Sequence, residues 1–151
     1  MILYLDASAI VKQYVSEFGS SDVRAAANES KINGTAVVSR AEVTAAFAKA
    51  IRTGVLAEKD AKRAVRNFNR SWPDLVRTRV TERLVKHAST LAWAHGLRGY
   101  DAVHLASAAA WQQALGDVVT VATFDRAMWS AAFKIGLKAF PADLPKLLSK
   151  R

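Results

Sequence analysis

Ile2-Leu3-Tyr4-Leu5-Asp6 stands at the start of the chain. Four consecutive apolar residues closed by an acid read as a short strand buried on both faces, ending in a carboxylate. Four more candidate strands follow. Thr35-Ala36-Val37-Val38 predicts a second buried strand, preceded by the turn signal Asn33-Gly34. Leu75–Val80 alternates, with Arg77 and Arg79 on one face, and suits an edge strand. Val118–Thr123 is a continuous run rich in β-branched residues, and residues 137–140 suit a short fifth strand.

Between these runs the apolar period changes to that of a helix. Ser8–Val15, Ser21–Glu29, Thr81–His95, Tyr100–Leu115 and Asp125–Ile135 each predict one, with breaks at Gly19 and Gly96. Ser39–Thr53 is capped by Ser39, stops at Gly54, and turns Val43, Phe47, Ala50 and Ile51 to the core. Residues 57–71 carry the stripe Ala61, Ala64, Val65 and Phe68, with Lys59, Lys62, Arg63, Arg66 and Arg70 around the rest, and Pro73 ends them. Pro141 and Pro145 punctuate a basic tail. Strands alternating with helices imply an α/β domain with a mostly parallel sheet covered on both faces. No linker, repeat or low-complexity stretch divides it, so residues 1–151 read as one domain.

Such sheets bind ligands in the crevice beyond the carboxyl ends of their strands. Four acids belong near that edge. Asp6 ends strand one, Glu42 lies in the first turn after strand two, and Asp125 follows strand four. Asp101 lies in the first turn of the helix before strand four, so its place depends on where that helix begins. Each also has a local explanation. Asp6 and Asp125 suit helix N-caps, Ser39-Arg40-Ala41-Glu42 matches a capping box, and Asp101 suits a helix dipole. Capping does not predict that all four converge. Two carboxylates about 4 Å apart repel by roughly 4 kcal/mol at an effective dielectric near 20, so a convergent set takes up protons or binds a cation. Oxygen ligands favour Mg²⁺ or Mn²⁺.

The 22 Lys and Arg outnumber the 13 Asp and Glu, for a net charge of +9, which favours a polyanionic partner. With no cysteine, disulfides, thiolate metal sites and cysteine nucleophiles are excluded. The apolar run at 2–5 is too short for a signal peptide or membrane span, so a cytoplasmic protein is expected. Among the histidines His104 lies nearest an acid, at i+3 from Asp101, and reads first as a hydrogen-bonded core residue. Trp72, Trp93, Trp111 and Trp129 read as core or dimer contacts rather than platforms for bases.

Four strings carry a resemblance. Leu5-Asp6-Ala7-Ser8-Ala9, Ser39-Arg40-Ala41-Glu42-Val43, Leu97-Arg98-Gly99-Tyr100-Asp101-Ala102-Val103-His104-Leu105-Ala106 and Val121-Ala122-Thr123-Phe124-Asp125 follow one another in the order of the acidic motifs of PIN-domain ribonucleases. The chain resembles these over essentially its whole length, and most closely the VapC-type toxins of toxin–antitoxin pairs. The resemblance implies a three-layer α/β/α fold with a roughly five-stranded sheet in the order 3-2-1-4-5. It implies a metal-dependent endoribonuclease with Asp6, Glu42, Asp101 and Asp125 as catalytic residues. Asp6, Asp101 and Asp125 would hold Mg²⁺ or Mn²⁺, and Ser8 and Thr123 would support them. Arg98, three residues before Asp101, reads from its spacing as either a holder of the scissile phosphate or a partner of an acid. Glu42 would orient the attacking water, leaving a 5′-phosphate and a 3′-hydroxyl. Some such nucleases carry a further acid one turn beyond the fourth, where this chain has Met128 and Trp129. Implied partners are RNA, a cognate antitoxin covering the site, and a second copy in a homodimer, with the helices around residues 40–70 at the contacts. The alternative is a non-catalytic PIN-fold module that binds RNA or protein. Phosphoaspartyl enzymes fit less well: one type requires an Asp where Ser8 stands, the other a lysine after a late strand.

Overall fold

A computed structural model describes all of residues 1–151. Five strands, β1 (Ile2–Leu5), β2 (Ile32–Ala36), β3 (Val76–Thr78), β4 (Val119–Ala122) and β5 (Lys138–Phe140), form one sheet in the order β3-β2-β1-β4-β5. Every pairing is parallel. Eight helices connect and flank them: α1 (Ala7–Tyr14), α2 (Ser20–Glu29), α3 (Ser39–Arg52), α4 (Glu58–Ser71), α5 (Glu82–His95), α6 (Gly99–Leu115), α7 (Arg126–Lys134) and α8 (Leu144–Leu148). The expected α/β fold and strand order are both present.

The alternation of side chains along β1 makes the three layers. Ile2 and Tyr4 point into one core, with Ala88 and Leu91 of α5, Leu105 and Trp111 of α6, and Met128 of α7. Leu3 and Leu5 point into the other, with Ile10 of α1, Val23 of α2, Phe47 of α3 and Phe68 of α4. All four β1 residues are buried, as befits a central parallel strand. The edge strand β3 is largely exposed, and Arg77 on it lies 5.7 Å from the Trp72 ring centroid. No helix is long and apolar enough to cross a membrane.

Several local expectations are corrected. Asn33-Gly34 is no turn but lies inside β2, where Gly34 pairs with Tyr4 and Val76. A β-carbon on Gly34 would stand 2.7 Å from the Trp111 ring, so this glycine marks close packing between strand and helix. β2 ends at Ala36; the Val37 amide still donates to the Thr78 carbonyl at 2.9 Å, but its side chain is exposed rather than buried. Ser39 does not cap α3: Val38 holds the cap position with no side-chain bond, and the Ser39 hydroxyl is buried 2.6 Å from that of Thr35. Ile51 is exposed rather than in the core. Of the two roles read for the tryptophans, Trp93 on α5, exposed to solvent, does not take the core one. The tail forms α8, with Pro145 in its first turn, where the missing amide costs nothing.

Candidate active site

Register brings the first and last acids together. Leu5 pairs with Ala122, so the chain leaves β1 and β4 at the same level, and the Asp6 amide donates to the Ala122 carbonyl at 3.2 Å. Asp6 and Asp125 then each cap the helix that follows. Asp6 Oδ1 accepts from the Ala9 amide at 2.7 Å and from the Ser8 hydroxyl at 2.8 Å. Asp125 Oδ1 accepts from the Met128 amide at 2.8 Å, and its own amide donates to Thr123 Oγ1 at 3.2 Å.

Glu42 and Asp101 come from first turns of helices and cap nothing. The capping box is not formed. Instead Glu42 Oε1 lies 2.7 Å from Nε2 of His104, which is 2% exposed. Asp101 Oδ2 accepts from Arg98 Nε at 2.9 Å, and a terminal nitrogen of the same guanidinium lies 3.3 Å from Asp125 Oδ2. Arg98 thus joins two of the acids from the solvent side, 78% exposed.

All four acids line one cleft of about 270 Å³, with Ser8, Arg98, His104 and the apolar Ala7, Val11 and Ala46. Thr123, fully buried, stands behind it. A larger hollow of about 650 Å³ lies elsewhere, between α5 and α6, and contains none of the four acids. In the arrangement present, no three acid or histidine side chains surround a single point closely enough to ligate an ion. Arg98 supplies the positive charge beside Asp101 and Asp125, and Asp6 directs one oxygen into its helix cap.

Burial sets the electrostatics. Asp6 is 4% exposed, and desolvation pushes its carboxyl above the ordinary value; the Thr123 hydroxyl, His104, the Ala9 amide and the Ser8 hydroxyl pull it back only in part. Arg98 moves up, chiefly through its hydrogen bond to Asp101 and then through the charges of Asp101 and Asp125. Tyr4, wholly buried beneath the cleft with its hydroxyl 2.8 Å from His104 Nδ1, is pushed far up by desolvation.

The PIN-domain family model matches residues 3–134, a span that includes every acid of the cleft. The chain belongs to the PIN-domain family. Among curated proteins it is similar to ribonuclease VapC45 of Mycobacterium tuberculosis (strain CDC 1551 / Oshkosh), 38% identical over 144 residues, covering 95% of this chain and 97% of the relative. Among solved structures it is similar to FitAcB from Neisseria gonorrhoeae, with a TM-score of 0.62, 19% identity, and 94% and 98% of the two chains covered. It is also similar to a toxin–antitoxin complex from Klebsiella pneumoniae, with a TM-score of 0.56, 11% identity, and 82% and 86% covered. These structural likenesses bear on the fold.

In this PIN domain the residues one turn beyond the fourth acid are spent on packing. Met128 is buried, and Trp129 Nε1 donates to the Pro141 carbonyl at 2.7 Å. Neither side chain brings an acid to the cleft. The residue the sequence undervalued is His104. It is a core histidine, as expected, but one of its ring nitrogens reaches a cleft acid, and the i+3 spacing from Asp101 was the available signal. Tyr4, behind it, gave no local sign.

Proposed function

We propose that this PIN domain is a VapC-type endoribonuclease toxin that hydrolyses RNA phosphodiester bonds with Asp6, Glu42, Asp101 and Asp125. The observation that carries this reading is the meeting of four carboxylates, from four distant parts of a basic chain, in one small cleft. The similarity to ribonuclease VapC45 over nearly the whole of both chains supports it.

The donors suit a hard divalent cation. They are carboxylate and hydroxyl oxygens, the chain has no thiol, and both nitrogens of the one histidine at the cleft already face other groups. The Arg98 guanidinium bridging Asp101 and Asp125 shows that the pair already attracts positive charge. Asp6, Asp101 and Asp125 are the residues that would hold Mg²⁺ or Mn²⁺. When bound, such an ion supplies Lewis acidity toward the phosphate and a more acidic water. Ser8 fixes the Asp6 carboxylate, while Thr123 fixes the backbone that carries Asp125. Glu42 orients the attacking water and takes its proton. Arg98, long and exposed at the mouth, exchanges its carboxylates for the scissile phosphate. Attack by water leaves a 5′-phosphate and a 3′-hydroxyl.

The partners follow the same reading: RNA as substrate, an antitoxin that covers the cleft, and a second copy of the chain. The similar Klebsiella pneumoniae structure is itself a toxin–antitoxin complex. Between α3 and α4 lies an apolar groove of about 310 Å³ lined by Phe47, Ile51, Ala61 and Val65, with Lys62 and Arg66 at its side. We assign this helix pair to dimer and antitoxin contacts. Incubating pure protein with total RNA, with Mg²⁺, Mn²⁺ or chelator, tests the proposal. Cation-dependent cuts with 5′-phosphate ends, absent with Asp6→Asn, are expected. Ends bearing 2′,3′-cyclic phosphate, or equal cutting by the variant, would sink it.

A further inference from the structure

Glu42 is the one cleft acid that neither a helix cap nor Arg98 holds. Its partner is His104, and the partner of His104 lies deeper still. The line runs from Glu42 Oε1 to His104 Nε2 (2.7 Å) and from His104 Nδ1 to the Tyr4 hydroxyl (2.8 Å), joining the cleft to the core under α6. Tyr4 is 0% exposed and His104 2%, while the Glu42 side chain is 23% exposed.

The directions of the two bonds follow from the groups. A carboxylate oxygen only accepts, so His104 Nε2 carries the hydrogen and donates to Glu42. In the neutral ring that leaves Nδ1 as an acceptor, and the Tyr4 hydroxyl donates to it. Burial keeps the phenol protonated and able to do so. Two rigid rings, each fixed by packing, thereby set the direction of a flexible side chain. The arrangement parallels the outer partners that orient ligating and catalytic groups elsewhere.

We propose that His104, held in one tautomer by Tyr4, is a positioning residue that fixes Glu42 for its work on the attacking water. This rests on the role given to Glu42 above. No proton leaves the imidazole. Nε2 keeps its hydrogen throughout and spends it on one oxygen of Glu42, leaving the other for the water.

The test is a set of variants of the full chain, read as kcat and KM on RNA with Mn²⁺, beside melting curves. His104→Leu is expected to lower kcat about 10- to 100-fold with KM little changed. His104→Gln, whose amide nitrogen reaches about as far as Nε2, recovers most of that loss. Tyr4→Phe loses several-fold. In a Glu42→Gln background, with its residual rate measured single-turnover at high enzyme, His104→Leu costs nothing further, because its only route to the reaction is gone. Nitrogen NMR of the wild-type ring shows a protonated Nε2 and a bare Nδ1.

Undiminished kcat in His104→Leu beside an impaired Glu42→Gln would overturn the positioning role alone. Multiplying losses in the double variant would do the same. A fully active Glu42→Gln would instead overturn the assignment of Glu42 as base. Should His104→Leu fail to fold, Tyr4→Phe and the ring tautomer decide, and a proton on Nδ1 rather than Nε2 refutes the proposal.

Discussion

The strand-end acids and the helix-borne acids reach the same cleft by different means. Asp6 and Asp125 sit where β1 and β4 end, and each caps a helix through its Oδ1. Backbone geometry holds them. Glu42 and Asp101 ride on first turns of α3 and α6, cap nothing, and are held by His104 and Arg98. A capping acid is therefore not excused from chemistry, since a carboxylate has a second oxygen. An acid in the right place for a capping box is not thereby a cap.

The largest effect tests whether the two pairs serve one reaction. Asp6→Asn and Asp101→Asn, one from each pair, are each expected to lose cleavage by roughly 10³-fold or more. Initial rates on a defined RNA check this, and wild-type rates from Asp101→Asn would separate the helix-borne acid from the chemistry.

Stability distinguishes the pairs next. Removing the cap with Asp125→Ala should cost about 1 kcal/mol, or a melting point lower by about 2–4 °C for a chain of this size. Asp125→Asn keeps an accepting oxygen and should melt near wild type. Asp101→Ala, with no cap to lose, should also leave the melting point almost unmoved. Equal drops for Asp125→Ala and Asp101→Ala would erase the distinction between the pairs.

Asp6 sharpens the comparison through pH. Its folded carboxyl titrates above the reference value of 3.8 because it is buried, so the folded state favours the protonated form. That contribution to stability is present at acid pH and is lost as pH rises through the folded value. Asp6→Asn keeps the cap and removes the buried charge. In chelator it should therefore melt above wild type at neutral pH, with the advantage fading toward pH 4 and below. A variant less stable than wild type at neutral pH would show that Asp6 gains more from its hydrogen bonds than burial takes away.

The smallest effect on stability belongs to Arg98. At 78% exposure its pairs with Asp101 and Asp125 are screened by water, and Arg98→Ala should change stability by no more than about 0.5 kcal/mol. Calorimetric titration with Mn²⁺ should nevertheless show tighter binding, because a competing positive charge is gone. Unchanged affinity would mean that the guanidinium and the ion do not compete.

Much of this molecule was legible in one dimension. Buried parallel strands must be short apolar runs, so β1 and β4 stood out, and their acids fell at the carboxyl edge by topology. The readings that failed were local rules overridden by contacts from afar. Asn33-Gly34 has turn chemistry, yet Gly34 is there to admit Trp111. Ser39 and Glu42 have capping-box spacing, yet the hydroxyl pairs with Thr35 and the carboxylate with His104.

The sequence alone determined the alternation of strands and helices, the basic surface, and which four acids could meet, because hydrophobic period and strand ends are properties of neighbouring residues. Tertiary structure decided the contacts between distant parts of the chain. Tyr4 and His104 are separated by 100 positions, Glu42 and His104 by 62, and Arg98 and Asp125 by 27. Bonds across such separations exist only once the sheet has ordered its strands and the helices have packed on it, since nothing in the local chain favours one distant partner over another.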